Sequence, residues 1–173
     1  MALESDIPGW YLNLRTWQRY EKEWGDWHPF PITLPVHLFY ALNKAFDIIL
    51  EEGLKQRWTR HKKVAGILCD YLEDAGISLL VTDKDCLLPT VTSAVLPSPM
   101  KSEDLQKYMQ ARYGIIIAGG VRLLRKRVFR VGHIAYSANE FLINRVISGI
   151  DCFMKNNRLS NFIETVVITC TLT

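Results

Sequence analysis

The chain has 173 residues, a formal net charge of +3, and hydrophobic and charged fractions of 49% and 23%. That length can bury a sizeable core, the composition is ordinary for a globular protein, and the charge is too small to imply nucleic acid by itself. No run approaches the roughly 18 apolar residues of a membrane span, so neither a membrane nor a nucleic-acid partner is expected.

Met1 to Pro8 carries acids and no apolar core, which does not read as a signal peptide. Cys69, Cys86, Cys152 and Cys170 form no CxxC pair and no metal spacing. Reduced thiols in the cytoplasm are the expectation, with no metal site.

The opening stretch, Ile7 to Pro35, holds Trp10, Trp17, Trp24 and Trp27. Such aromatics suit docking against another surface, and Leu14 to Trp24 can form a short helix. Pro35 needs no N–H donor in a first helical turn. After it, Leu38, Phe39, Leu42, Phe46, Ile49 and Leu50 recur at helical spacing until Gly53. A second helical pattern runs through Leu54, Trp58, His61, Val64, Leu68 and Leu72, with Gly76 as a left-handed cap.

The period then changes. Ile77 to Val81 reads as a short apolar strand, Thr82 to Pro89 as a loop, and Thr90 to Leu96 as a strand rich in β-branched residues. Ser102 opens a helix with Leu105, Tyr108 and Met109 on one face, stopped by Gly114. Ile115 to Ile117 reads as a strand running into Gly119-Gly120, and Val128 to Val131 as its partner across a basic turn. Ser137 and Glu140 form a capping-box pattern for a helix burying Phe141, Leu142, Ile147, Ile150 and Phe153. Phe162 to Thr171 is strand-prone. This order reads as an α+β fold, helices packed on a small, mainly antiparallel sheet.

Arg130 is the leading site candidate. An arginine fixed on a strand can grip a carboxylate through two parallel charge-assisted hydrogen bonds. It would move no proton, because a guanidinium stays protonated. Gly119 and Gly120 allow close backbone approach to a ligand. Arg122, Arg125, Lys126 and Arg127 read either as a solvated hairpin tip or as a patch for phosphate or nucleic acid. His61 and His133 read as structural. Lys44, Lys55, Lys62 and Lys63 fall on polar helix faces, and no Ser–His–Asp pattern or phosphate loop is visible.

From about Trp10 to Met154 the chain resembles the small domain of class V pyridoxal-phosphate aminotransferases, the alanine–glyoxylate and serine–pyruvate group. The resemblance is carried by Gly9-Trp10-Tyr11-Leu12-Asn13-Leu14, His28-Pro29-Phe30-Pro31-Ile32-Thr33-Leu34-Pro35 and Glu51-Glu52-Gly53-Leu54 with Arg57, Arg60 and His61. Leu88-Pro89-Thr90-Val91-Thr92, Tyr113-Gly114-Ile115 and Phe129-Arg130-Val131-Gly132-His133 complete it. Their order and spacing together are specific, although each string alone is common.

The resemblance implies that Arg130 binds the substrate's α-carboxylate and that Thr33 reaches the cofactor phosphate of a partner subunit. A plain helix N-cap is the other reading of Thr33. It also implies an amino-group exchange between a small amino acid of the alanine or serine type and a 2-oxo acid of the glyoxylate or pyruvate type. Pyridoxal phosphate would serve the complete enzyme, with none expected on this chain alone and no catalytic residue within it.

The family's lysine-bearing large domain lies before this region. The chain therefore reads as the C-terminal part of an enzyme, whether truncated, separately encoded or excised, and silent by itself. A missing large domain or partner subunit, and a homo-oligomer, are the expected partners. The expected division is 1–35 as a docking segment, 36–155 as the small domain and 156–173 as a divergent tail. Arg122 departs from the family, which commonly has glycine there, and Phe30 stands where some relatives carry tyrosine. The alternative is a non-catalytic dimerisation or anion-binding module derived from the family.

Overall fold

The computed structural model describes the backbone of residues 9–170 and the side chains of residues 9–157. Two compact units divide between Glu51 and Glu52, whereas the sequence suggested a boundary at residue 35.

The first unit holds α1 (Leu14–Trp24) and most of α2 (Val36–Glu52). Asn13 caps α1, its side chain accepting from the Arg15 N–H at 3.0 Å and satisfying one of the donors a helix start leaves free. The aromatics mostly meet one another: Tyr20 lies edge-on to Trp24 at 4.5 Å and to Trp10 at 6.1 Å between centroids. Neither helix buries a residue. The apolar positions of α2 expected from its periodicity are present, but Leu38, Phe39, Leu42, Phe46 and Leu50 are exposed.

The second unit contains α3 (Leu54–Asp74), β1 (Ser78–Leu79), β2 (Val91–Val95), α4 (Ser102–Tyr113), β3 (Ala118–Gly119), β4 (Val128–Gly132) and α5 (Glu140–Cys170). Gly76 ends α3 as the pattern suggested. At φ +73° it lets its own N–H reach Glu73 O and the Ile77 N–H reach Leu72 O, a left-handed termination that glycine adopts without steric cost. Gly114 does the same for α4.

The four strands form one antiparallel sheet in the order β1-β2-β4-β3. The α+β class with helices on a small antiparallel sheet therefore holds. Val64, Leu68 and Leu72 of α3, Leu105 and Met109 of α4, and Ile143, Ile150 and Phe153 of α5 pack with Leu79, Ala94, Phe129 and Val131 of the strands. All of these lie on one sheet face, because alternate strand residues point the same way. Each of these Val, Leu, Ile, Phe and Met side chains contributes about 1.5–3 kcal/mol on burial.

Four local expectations are corrected. The strand before the glycine pair is Ala118–Gly119, not Ile115 to Ile117. Its register sets Ala118 opposite Arg130, which leaves Ile115 and Ile116 at or past the end of β4. The cap of α5 is Asn139, whose Oδ1 accepts from the N–H groups of Phe141 and Leu142 at 2.8 and 3.4 Å. Ser137 instead bonds Ile134, accepting from its N–H and donating to its carbonyl.

The helix starts two residues later than expected, and its buried face differs as well. Ile143 and Val146 join Ile150 and Phe153 inside, while Phe141 is 69% exposed. Finally, the tail expected to be strand continues α5 to Cys170. No Gly or Pro falls between Asn156 and Cys170, and extending an existing helix costs far less than nucleating another element; Thr171 lies outside the described residues.

Candidate functional site

The helices cover one face of the sheet, and Arg130 stands on the other. Phe129 and Val131 flank it and point into the core, so the strand period turns Arg130 outward. Its cross-strand neighbours are Ser93 of β2 and Ala118 of β3. Directly paired residues share a face, so Arg130 stands between one hydroxyl side chain and one methyl group. Both neighbours are small and leave it room.

The Arg130 Nε–H donates to Gly119 O at 2.8 Å. This single tether fixes the plane of the guanidinium, and the two Nη groups remain for a ligand. Among the described residues no carboxylate pairs with Arg130. A half-buried, fixed, unpaired guanidinium is the arrangement that two-pronged carboxylate binding requires.

The glycine pair explains itself by packing. A Cβ on Gly120 would sit 2.4 Å from Leu124 O, and one on Gly119 would sit 2.9 Å from Gln106 Nε2. The close approach found here is thus by the chain's own turn and by α4. Gly119 serves Arg130 directly, through its carbonyl.

Arg122 begins the basic turn at φ +50°, in the left-handed region that costs a residue with a Cβ about 1–2 kcal/mol. The conformation suits glycine, yet a bulky cation occupies it. The side chains of residues 121–127 are all exposed.

Thr33 lies in the first unit, exposed, in the segment before α2. It is not the cap of that helix, which starts at Val36 with Leu38 N–H bonded to Pro35 O. No hydrogen bond engages its side chain among the described residues. The hydroxyl is therefore available to a ligand or partner.

The two histidines are structural, as their settings suggested. His61 donates from Nδ1 to Arg57 O at 2.7 Å and accepts the Ala135 N–H on Nε2 at 3.1 Å. His133 is buried, with Nε2 bonded to Thr92 Oγ1 at 2.8 Å, and burial pushes its pKa down. Thr92 also contacts the thiol of Cys69 at 3.9 Å. Desolvation raises the pKa of that thiol, which keeps it protonated and a poor nucleophile.

Two groups went unread in the sequence. Ser93 could have been found from the alternation of Thr90 to Leu96 against Val128 to Val131. The second is a clamp around Glu52, which takes hydrogen bonds from Arg57 and Arg60. Arg60 also donates to the carbonyls of Ala135 and Ala138. Glu52 is held at a pKa of about 2, first by its bond to Arg60, against the opposing effect of desolvation and with further help from Arg57. Arg60 and Ala138 lie far apart in sequence, so no local pattern announces the contact.

The fold and its relatives define the small domain of an aminotransferase. Over 128 residues the chain is 36% identical to an uncharacterised aminotransferase of Methanocaldococcus jannaschii, covering 74% of this chain and 32% of that protein. It is 30% identical over 118 residues to the alanine–glyoxylate aminotransferase of Mus musculus, covering 68% of this chain and 28% of that protein. The solved alanine–glyoxylate aminotransferase from Nostoc sp. superposes with a TM-score of 0.75 at 28% identity, covering 87% of this chain and 39% of that one. No family model matches the chain.

The chain belongs to the class V aminotransferases, in the alanine–glyoxylate group, and spans about a third of the length of the curated relatives it matches. Among the described residues, no helix is long and apolar enough to cross a membrane.

Proposed function

We propose that this chain supplies the substrate-carboxylate grip of a pyridoxal-phosphate aminotransferase. The enzyme would move an amino group between a small amino acid, of the alanine or serine type, and a 2-oxo acid such as glyoxylate or pyruvate. One observation carries the reading: Arg130 is tethered to Gly119 O with both Nη groups free on the open face of the sheet. A two-point grip on the α-carboxylate fixes the orientation of the amino acid, which positions the bond at its α-carbon for cleavage. Arg130 binds and orients, and it transfers no proton.

Pyridoxal phosphate supplies the electron sink for such chemistry. The residues of this chain do not by themselves fit it. Every lysine is exposed, and none has the desolvated setting that makes a lysine a carbonyl nucleophile. The attachment point would come from a large domain or partner subunit, and Thr33 would offer its hydroxyl to the cofactor phosphate across a dimer. In this reading the isolated chain is silent and the working form is a cytoplasmic dimer.

A second reading, a non-catalytic dimerisation or anion-binding module, is favoured by Arg122, which places a cation at a left-handed position beside the glycine pair. A chimera decides between them. Residues 10–154 would replace the small domain of an active alanine–glyoxylate aminotransferase. Turnover that falls on Arg130→Lys supports the grip; a folded, cofactor-loaded and inactive chimera supports the module.

A further inference from the structure

We propose that the turn between β3 and β4 is a contact site for an anionic phospholipid surface. Leu123 is 100% exposed, Val121 60% and Leu124 46%. Arg122, Arg125, Lys126 and Arg127 surround them, all exposed. Only Arg125 has an acidic partner among the described residues, Glu103 at 3.5 Å. The remaining positive charge lies on exposed side chains, together with Leu123, which is fully exposed, and Val121 and Leu124, which are partly so.

The turn is held from behind. The Ser102 N–H donates to Lys126 O at 2.8 Å and the Leu96 N–H to Arg127 O at 2.9 Å. Within it, the N–H groups of Leu124 and Arg125 bond the carbonyls of Val121 and Arg122 at 3.1 Å each. Because the backbone is already fixed, binding orders few additional groups.

An apolar tip ringed by cations matches the boundary between lipid headgroups and acyl chains. The cations meet phosphates and carboxylates while the leucine enters the apolar layer. Nucleic acid offers phosphates but no apolar phase, and single strands are bound largely by stacking on aromatic rings. Residues 121–127 include no aromatic ring. This revises the expectation of no membrane partner, which rested on the lack of a spanning run. Surface binding needs no span.

The test is cosedimentation of the full chain with phosphatidylcholine vesicles, with and without phosphatidylserine, at low and high salt. Binding should require phosphatidylserine and fall with salt. The triple variant Arg122→Gln, Lys126→Gln, Arg127→Gln should bind about 100-fold more weakly, at roughly fivefold per charge. Leu123→Ser should bind about 10-fold more weakly. All these side chains are exposed, so circular dichroism and thermal midpoint should match the parent.

Absence of binding to phosphatidylserine vesicles at low salt would overturn the proposal. So would a Leu123→Ser variant that binds them unchanged. Equal affinity for duplex DNA, with no dependence on Leu123, would make the turn a general polyanion site instead.

Discussion

Helices α2 and α3 follow one another across Gly53 and carry apolar residues at the same spacing. Yet α3 buries His61, Val64, Leu68 and Leu72, while α2 buries none. The difference lies in what each helix is given to pack against. From His61 onward α3 lies on the sheet and α5; its first turns resemble α2, with Leu54 and Trp58 exposed at 52% and 63%. Periodicity states which face a helix can bury, and the partner decides whether it does. The exposed apolar row on α2, Leu38, Phe39, Leu42, Phe46 and Leu50, is of the kind that marks an interaction site. That fits the proposed role, in which a large domain or a second subunit covers it.

Core substitutions test the contrast most strongly. Phe129→Ala should cost about 3–5 kcal/mol, the range for emptying a buried aromatic site. Phe46→Ala on α2 should stay within about 0.5 kcal/mol, as for exposed positions. Urea denaturation at low protein concentration checks both. A large loss at Phe46 would mean that α2 has a packed partner within the isolated chain.

The next effect separates the two faces of the sheet. In the chimera, Arg130→Lys should keep the charge and lose the planar fork, reducing kcat/KM by about 2–4 kcal/mol of transition-state stabilisation. Cofactor affinity should change much less. Unchanged kinetics would make Arg130 a strand residue that merely holds Gly119.

A smaller effect is expected at the turn. Arg122→Gly should stabilise the chain by about 1 kcal/mol, because glycine adopts the left-handed conformation without a Cβ clash. A loss of thermal stability in this variant would mean that the arginine side chain holds the turn.

The mildest test lies at the junction of the two helices. Glu52 has its folded pKa lowered from 4.5 to about 2. Its contribution is therefore fully present above pH ~4.5 and is lost as the pH falls towards 2. Urea midpoints measured down this range should decline more steeply for the parent than for Glu52→Gln. Parallel curves would remove the clamp from the account.

Much of the fold was legible because it rests on local physics. Gly76 and Gly114 ended helices where their freedom at positive φ is needed, and the helical spacing of α3 and α4 selected Leu68, Leu72, Leu105 and Met109 for the core. Arg130 stood out because Phe129 and Val131 on either side are apolar, so an alternating strand had to turn it the other way. The errors came where several local patterns compete. Ser137 and Asn139 both offer capping oxygens, and only the packing of Ile143 and Val146 selects the later start. The β-branched residues near Val166 fit a strand, but α5 reaches them already formed.

What the amino-acid order determined by itself was the kind of element at each place, the face each could bury, and a resemblance strong enough to name a family. What only the tertiary structure decided was adjacency. It set Ser93 and Ala118 beside Arg130, turned Gly119's carbonyl to its Nε, and joined Arg60 to the carbonyls of Ala135 and Ala138. Such contacts depend on strand register and on chain closure over many residues, and each gains its energy only when distant segments have already folded. A linear pattern records the capacity for such a contact, and the folded chain chooses its partner.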